Sequence, residues 1–486
     1  MTEDIYRHQN GLKHINIINS EDFSALFVVN TPIFDNSGVA HGVEHMVFRR
    51  STAFPHPETL FQLTSLTDAK INASTCTDTT YFHCQSQCSH TFMLAINYLL
   101  NGLFNPIFDT EDLHCEIHDG NDKGVIYQEL IGSEQEDRKS TKEKDKNYFC
   151  YGGISASIGD LSLNDLTAFH QRFYQASNIT LVTANADIEQ IANLIALLPK
   201  QDRQSKQIKI ALDKNSKNKQ DGDSKRYQQK KYSQEINKLI TVYHLWLQDP
   251  YHQEIDDYKE IACTNKVLEI HQNTLSVLPQ SNLISPLIIL LEQRIKEASI
   301  VQVNNMDIES KGVKQSVNTI RLPSLFTALY QKAKKQLTYN ELSVYLSHAY
   351  VCDQSNVLWI AQVSDAEKKL ATITSYIISA YPRFLAPRCQ GLCYATHALT
   401  IENSAYLAIY SAFDVSPETR LKEVLLCLLK LSQDDTFINT SLALAKIKYC
   451  LVYQVNNNQV NNNQVMNITS TDISAYLQML INADIR

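Results

Sequence analysis

His41, Glu44 and His45 fall within one short run, Ser37-Gly38-Val39-Ala40-His41-Gly42-Val43-Glu44-His45-Met46-Val47-Phe48. On a helix, positions i and i+4 share a face, so the two imidazoles can be offered to one metal ion. The order is H-x-x-E-H, the reverse of the common zinc order. Glu44 stands beside both ligands, placed to take a proton from a metal-bound water. Zinc brings the pKa of such a water to about 7. The plain alternative is a helix that happens to carry two histidines and an acid. The surroundings favour a metal site: Gly38 breaks the preceding segment, Val39, Val43, Met46 and Val47 can bury the helix, and a strand-like run, Ala25-Leu26-Phe27-Val28-Val29, comes just before.

A catalytic zinc takes three protein ligands and leaves one position open. The missing ligand is expected from Glu129, 84 residues after His45, on a helix over about 122–135. The alternative there is a solvated helix acid. The apolar neighbours Val125, Ile126 and Leu130 favour burial, and a buried carboxylate needs a compensating partner.

The elements that must carry these residues follow from periodicity. Residues 12–30 read as two strands, 38–49 as the metal helix, 57–68 as a helix after Pro55 and Pro57, 71–86 as a hairpin and 91–104 as a helix. A helix at 163–176, the strand Ile179-Thr180-Leu181-Val182-Thr183 and a helix at 187–197 come next. This mix indicates an α+β layer sandwich. The stretch 200–232 is polar and reads as an exposed linker or loop, and 234–300 reads as helical. A second α+β unit starts near 355: strand 357–361, helix 364–381, a hairpin at 391–413, and helices at about 416–432 and 438–454. The segment Gln454-Val455-Asn456-Asn457-Asn458 repeats as Gln459-Val460-Asn461-Asn462-Asn463, a loop insert.

A net charge of −8 argues against a nucleic-acid protein. With 44% apolar residues among 486, the chain can bury large cores. No apolar run approaches the roughly 20 residues that span a bilayer, so no membrane association is expected. The N-terminal sequence has the form of neither a secretory signal nor an Arg-rich transit peptide. Eleven cysteines without metal-type spacing are expected to be reduced thiols, and a cytoplasmic location follows.

The chain resembles the insulinase-like (M16, pitrilysin) zinc metallopeptidases, most of all the presequence-protease branch. His41, Glu44, His45 and Glu129 carry the likeness, with Thr31-Pro32, Ile71-Asn72-Ala73-Ser74-Thr75, Asp78-Thr79-Thr80-Tyr81 and Lys123-Gly124-Val125-Ile126-Tyr127-Gln128-Glu129. A second likeness is Pro387-Arg388-Cys389-Gln390-Gly391-Leu392-Cys393-Tyr394, similar to the family's Arg and Tyr motif. The departures are Asp122 as the acid seven residues before the third ligand, Arg49-Arg50 where a small residue is usual, and Gly391-Leu392 in place of Gly-Gly.

The resemblance implies two M16-type modules facing each other as a clamshell, joined by a helical middle. The expected division is a zinc-binding module at 1–212, a linker at 213–233, a mainly helical middle at 234–345 and an M16-like module at 346–486. It implies one Zn2+ per chain on His41, His45 and Glu129. Glu44 is the implied base, Arg388 and Tyr394 close over the substrate carbonyl, and Asp122 stands behind the ligands. Unstructured peptides are the implied partners, added as a strand beside Asn72, Ala73 and Ser74. The expected function is a zinc endopeptidase, monomeric or homodimeric. The alternative is a non-catalytic peptide-binding or scaffold subunit.

Overall fold

The computed structural model describes residues 2–18, 23–76, 78–137, 150–198, 350–352, 357–401, 406–453 and 464–484. The polar linker, the helical middle and the Asn-rich duplication lie outside the described residues.

The first module is built on a six-stranded sheet in the order β1-β2-β6-β3-β5-β4. Its strands are β1 (Thr2–Arg7), β2 (Lys13–Ile18), β3 (Phe23–Asn30), β4 (Lys70–Thr75), β5 (Thr79–Ser86) and β6 (Ile179–Ala184). Neighbours run antiparallel except β2 and β6, which are parallel. Successive strand residues point to opposite faces, and Leu26 and Phe27 in β3 are both fully buried, so the sheet is covered on both sides there.

Helix α1 (Val39–Arg49) packs against α3 (Ser89–Phe104), α4 (Thr110–Glu116), α7 (Leu163–Phe173) and strand β4. Every residue of α1 from Ala40 to Arg49 is buried, including the ionisable His41, Glu44, His45 and Arg49, which must therefore find partners inside the protein. The other helices of this module are α2 (Thr59–Leu66), α5 (Val125–Asp137), α6 (Ser155–Ile158) and α8 (Ile188–Ala196).

The second module has a four-stranded antiparallel sheet, β7 (Tyr350–Cys352), β8 (Val357–Gln362), β10 (Tyr406–Asp414) and β9 (Cys393–Ile401), in that order. Its helices are α9 (Lys368–Ser379), α10 (Pro382–Cys389), α11 (Pro417–Leu431), α12 (Asp435–Val452) and α13 (Ser470–Asp484). The single helix expected over 364–381 ends at Ser379, and a new helix starts with Pro382 in its first turn. Proline lacks an N–H, so it opens a helix more readily than it continues one.

Among the described residues the two modules are in direct contact. They share a buried seam in which α2 packs on α9 and α12. Ser65 Oγ donates to the Ser379 carbonyl at 3.3 Å, and Lys448 Nζ donates to the carbonyls of Thr64 and Ser65 at 2.8 and 3.0 Å. Buried polar bonds thus tie the two modules together along this seam. Among the described residues no helix is long and apolar enough to cross a membrane.

Candidate metal centre

Helix α1 starts because Gly38 turns the chain. Gly38 has φ 75° and accepts the Gly42 N–H at 2.8 Å. A Cβ on Gly38 would lie 2.8 Å from Ile158 Cδ1 and 3.0 Å from the Gly152 oxygen, so only glycine fits. That close approach brings the turn at Gly152-Gly153 beside His41.

Each histidine is fixed from behind. His41 Nδ1 lies 3.0 Å from the Gly152 carbonyl oxygen, and His45 Nδ1 lies 3.0 Å from Glu116 Oε1. Both partners only accept, so each Nδ1 carries the proton and each Nε2 presents a lone pair. The two Nε2 atoms converge on Glu129 Oε2, at 3.7 Å from His41 and 3.8 Å from His45. The three ligand atoms lie within 4.8 Å of one another. Glu129 Oε2 is shielded from solvent and has no hydrogen-bond partner. An unsatisfied carboxylate oxygen facing two lone pairs is costly without a cation between them. The donor set suits zinc: two imidazoles with hydrogen-bonded backs and one carboxylate.

Glu44 is buried on the same helix and accepts a 2.5 Å hydrogen bond from Thr75 Oγ1. Burial pushes its carboxyl above the usual range, against the pull of His41, His45 and Thr75. Its partner Thr75 ends β4, which stands at the edge of the sheet after Asn72, Ala73 and Ser74. The base and this edge strand are therefore adjacent.

The sequence reasoning missed Glu116. It is buried at the end of α4, and both its oxygens are engaged. Oε1 accepts from His45 and from Arg388 Nη2 at 2.7 Å, and Oε2 accepts from Arg388 Nη1 and Arg49 Nη1, both at 2.9 Å. Burial works to raise its pKa, but Arg388, the His45 bond and Arg49 together hold the carboxyl well below the ordinary value. For His45, burial is outweighed by Glu116, Glu129 and Glu44, so its pKa is raised. The signal for α4 was present in Asp109-Thr110-Glu111-Asp112: Asp109 caps the helix by accepting the Asp112 N–H at 2.8 Å.

Asp122, expected behind the ligands, is exposed on the turn before α5 and offers only its backbone carbonyl, to the Gln128 side chain. Glu116 holds the place instead. Arg388, expected on the substrate carbonyl, has both terminal nitrogens on Glu116. Its Nε–H is buried without a hydrogen-bond partner. Tyr394 opens β9 with its ring 5.9 Å from that of Phe413, and β9 packs on α5, the helix of Glu129.

Comparisons with known proteins bear on this geometry. Residues 34–138 match the family model described as insulinase (peptidase family M16). An uncharacterised protein of Saccharomyces cerevisiae is 26% identical over 185 residues, covering 35% of this chain and 18% of that protein. The mitochondrial presequence protease of Candida albicans is 27% identical over 206 residues, covering 36% of this chain and 19% of the protease. The matched stretches thus span about a fifth of these relatives. A crystal structure of a putative M16-like peptidase from Alicyclobacillus acidocaldarius covers 100% of this chain and 94% of its own, with 13% identity and a TM-score of 0.33.

Proposed function

We propose that the protein, whose residues 34–138 match the insulinase (peptidase family M16) model, is a zinc-dependent endopeptidase of short unstructured peptides. One observation carries the reading: His41 Nε2, His45 Nε2 and Glu129 Oε2 converge while both Nδ1 atoms are held by acceptors. Zinc held by these three groups would supply Lewis acidity and water activation at neutral pH.

The chain's own residues do the rest. An extended peptide pairs with the β4 edge at Asn72–Ser74 through main-chain bonds, which select for unfolded chains without demanding a sequence. Glu44 takes the proton of the attacking water and returns it to the leaving amine. Thr75 holds the carboxylate in place. Tyr394 is the donor assigned to the developing oxyanion, a role that favours the transition state over the bound peptide. Confinement in a closed chamber, as a monomer or a homodimer in a cytoplasmic setting, belongs to the same proposal.

The test is cleavage of a mixed set of unstructured peptides, read by mass spectrometry, with intact protein and Glu44→Gln, each with and without a zinc chelator. Cleavage that both treatments abolish is the expected result. Intact, zinc-loaded protein that binds the peptides and cuts none would establish the non-catalytic subunit in its place.

A further inference from the structure

The turn that links α10 to β9 lies in the second module, yet it touches three separate elements of the metal site. Arg388 is 3% exposed and places its fork on both oxygens of Glu116, at 2.7 and 2.9 Å. Glu116 in turn accepts from His45 Nδ1 at 3.0 Å. The carbonyl of Cys389 accepts from Arg49 Nη2 at 2.8 Å, at the last turn of the histidine helix. The carbonyl of Gly391 accepts the Gly124 N–H at 2.9 Å, at the residue before the Glu129 helix. Gly391 also presses on α4: with φ +72°, its Cβ would lie 2.2 Å from the Cys115 oxygen.

We infer that the second module completes the metal site, with Arg388 a positioning residue that fixes His45 through Glu116 and the Cys389–Gly391 backbone fixing the ends of α1 and α5. A carboxylate has about four lone-pair sites. Glu116 uses them on His45, Arg49 and twice on Arg388, so the acceptor of His45 cannot rotate while the fork is in place. Without Arg388 the carboxylate is free to swing toward Arg49, and the imidazole loses its fixed tautomer and direction. Partners behind metal ligands typically change metal affinity 10- to 100-fold.

This inference rests on the metal reading proposed above, and its test separates the two. Zinc affinity of the full chain is measured by competition with a chromogenic chelator, with circular dichroism and thermal melts of the metal-free protein to verify folding. Arg388→Met is expected to weaken zinc binding by about 10- to 100-fold while the metal-free protein stays folded. Glu116→Gln is expected to weaken it similarly. The double variant is expected to bind no more weakly than Glu116→Gln alone, because Arg388 acts only through Glu116. Lys448→Met, which disturbs the seam at its other end, is expected to keep wild-type zinc affinity.

A folded Arg388→Met with affinity unchanged within about twofold overturns the inference, set against the expected loss. So does a Lys448→Met loss of equal size, which would mean that any loosening of the seam suffices. If Arg388→Met does not fold, Arg388→Lys keeps the charge and removes the fork; wild-type zinc affinity in that variant overturns the inference equally. Wild-type protein that binds no zinc would instead sink the metal reading itself.

Discussion

Two cations of the second module cross the same seam and meet different fates. Arg388 ends on the Glu116 carboxylate, whereas Lys448 ends on the carbonyls of Thr64 and Ser65 near the end of α2. Each also lies over an aromatic ring, Arg388 at 5.1 Å from the Phe61 centroid and Lys448 at 4.3 Å from that of Tyr376. Both are buried, and burial disfavours each charge. For Arg388 the carboxylate outweighs the loss of water and its proton is held more tightly than usual. For Lys448 burial dominates, Asp68 opposes it, Lys70 adds to it, and the pKa falls to about 7. A full counter-charge in contact compensates desolvation; carbonyl dipoles do so only in part. One end of the seam is thus a fixed ionic clamp on the candidate metal centre. The other is a polar contact whose charge changes near neutral pH.

The contrast predicts where damage is greatest. Glu116→Ala would strand Arg388 and Arg49 against each other, with Asp112 as the remaining acid on Arg49. Breaking a buried pair by removing one partner costs about 3–5 kcal/mol. A loss of that order is expected in urea unfolding of the metal-free protein. A loss below about 1 kcal/mol would show that water reaches the network and that the clamp is no stiffer than an exposed pair. Gly391→Ala tests the backbone part of the clamp. Its positive φ and the 2.2 Å approach to the Cys115 oxygen leave no room for a Cβ. The cost is expected to exceed about 1 kcal/mol, with weaker zinc retention as α4 and α5 shift. An Ala variant as stable as wild type would show that the turn gives way without effect on the site.

The candidate ligands were legible because they obey local rules. His41, Glu44 and His45 show the i, i+3, i+4 spacing, and Glu129 sits among apolar neighbours on a readable helix. The partners behind them were not legible. Asp122 has the family's sequence spacing from Glu129 but lies on an exposed turn, whereas Glu116 reaches His45 from a short helix that periodicity did not reveal. Sequence spacing fixes which face of one helix a residue takes; it does not say which way a turn directs an acid. Arg388 shows the same limit. Its motif marked the residue, but whether a guanidinium faces a substrate or a buried carboxylate depends on how two modules dock. Strand β1 also went unread, since its acids and Tyr6 do not alternate as a half-buried strand should.

The smallest effect falls at Lys448, and there the direction with pH is the informative part. Below about pH 7 the lysine is charged in both the folded and the unfolded chain, so the burial cost is fully present. Between about 7 and the ordinary lysine value near 10.4 the unfolded chain still binds the proton while the folded chain has released it. Stability from this group therefore rises with pH across that window, by at most about 1.4 kcal/mol per unit. Lys448→Met removes the rise. At pH 6 the variant is expected to match wild type within about 1 kcal/mol, since an apolar group of similar length replaces a poorly compensated charge. From pH 7 to 9 wild type should gain on the variant by about 2 kcal/mol, measured by urea unfolding at each pH. A constant difference between the two proteins would show that Lys448 keeps its proton. The seam would then carry two fixed charges, and the contrast between its ends would lie in hydrogen-bond geometry alone.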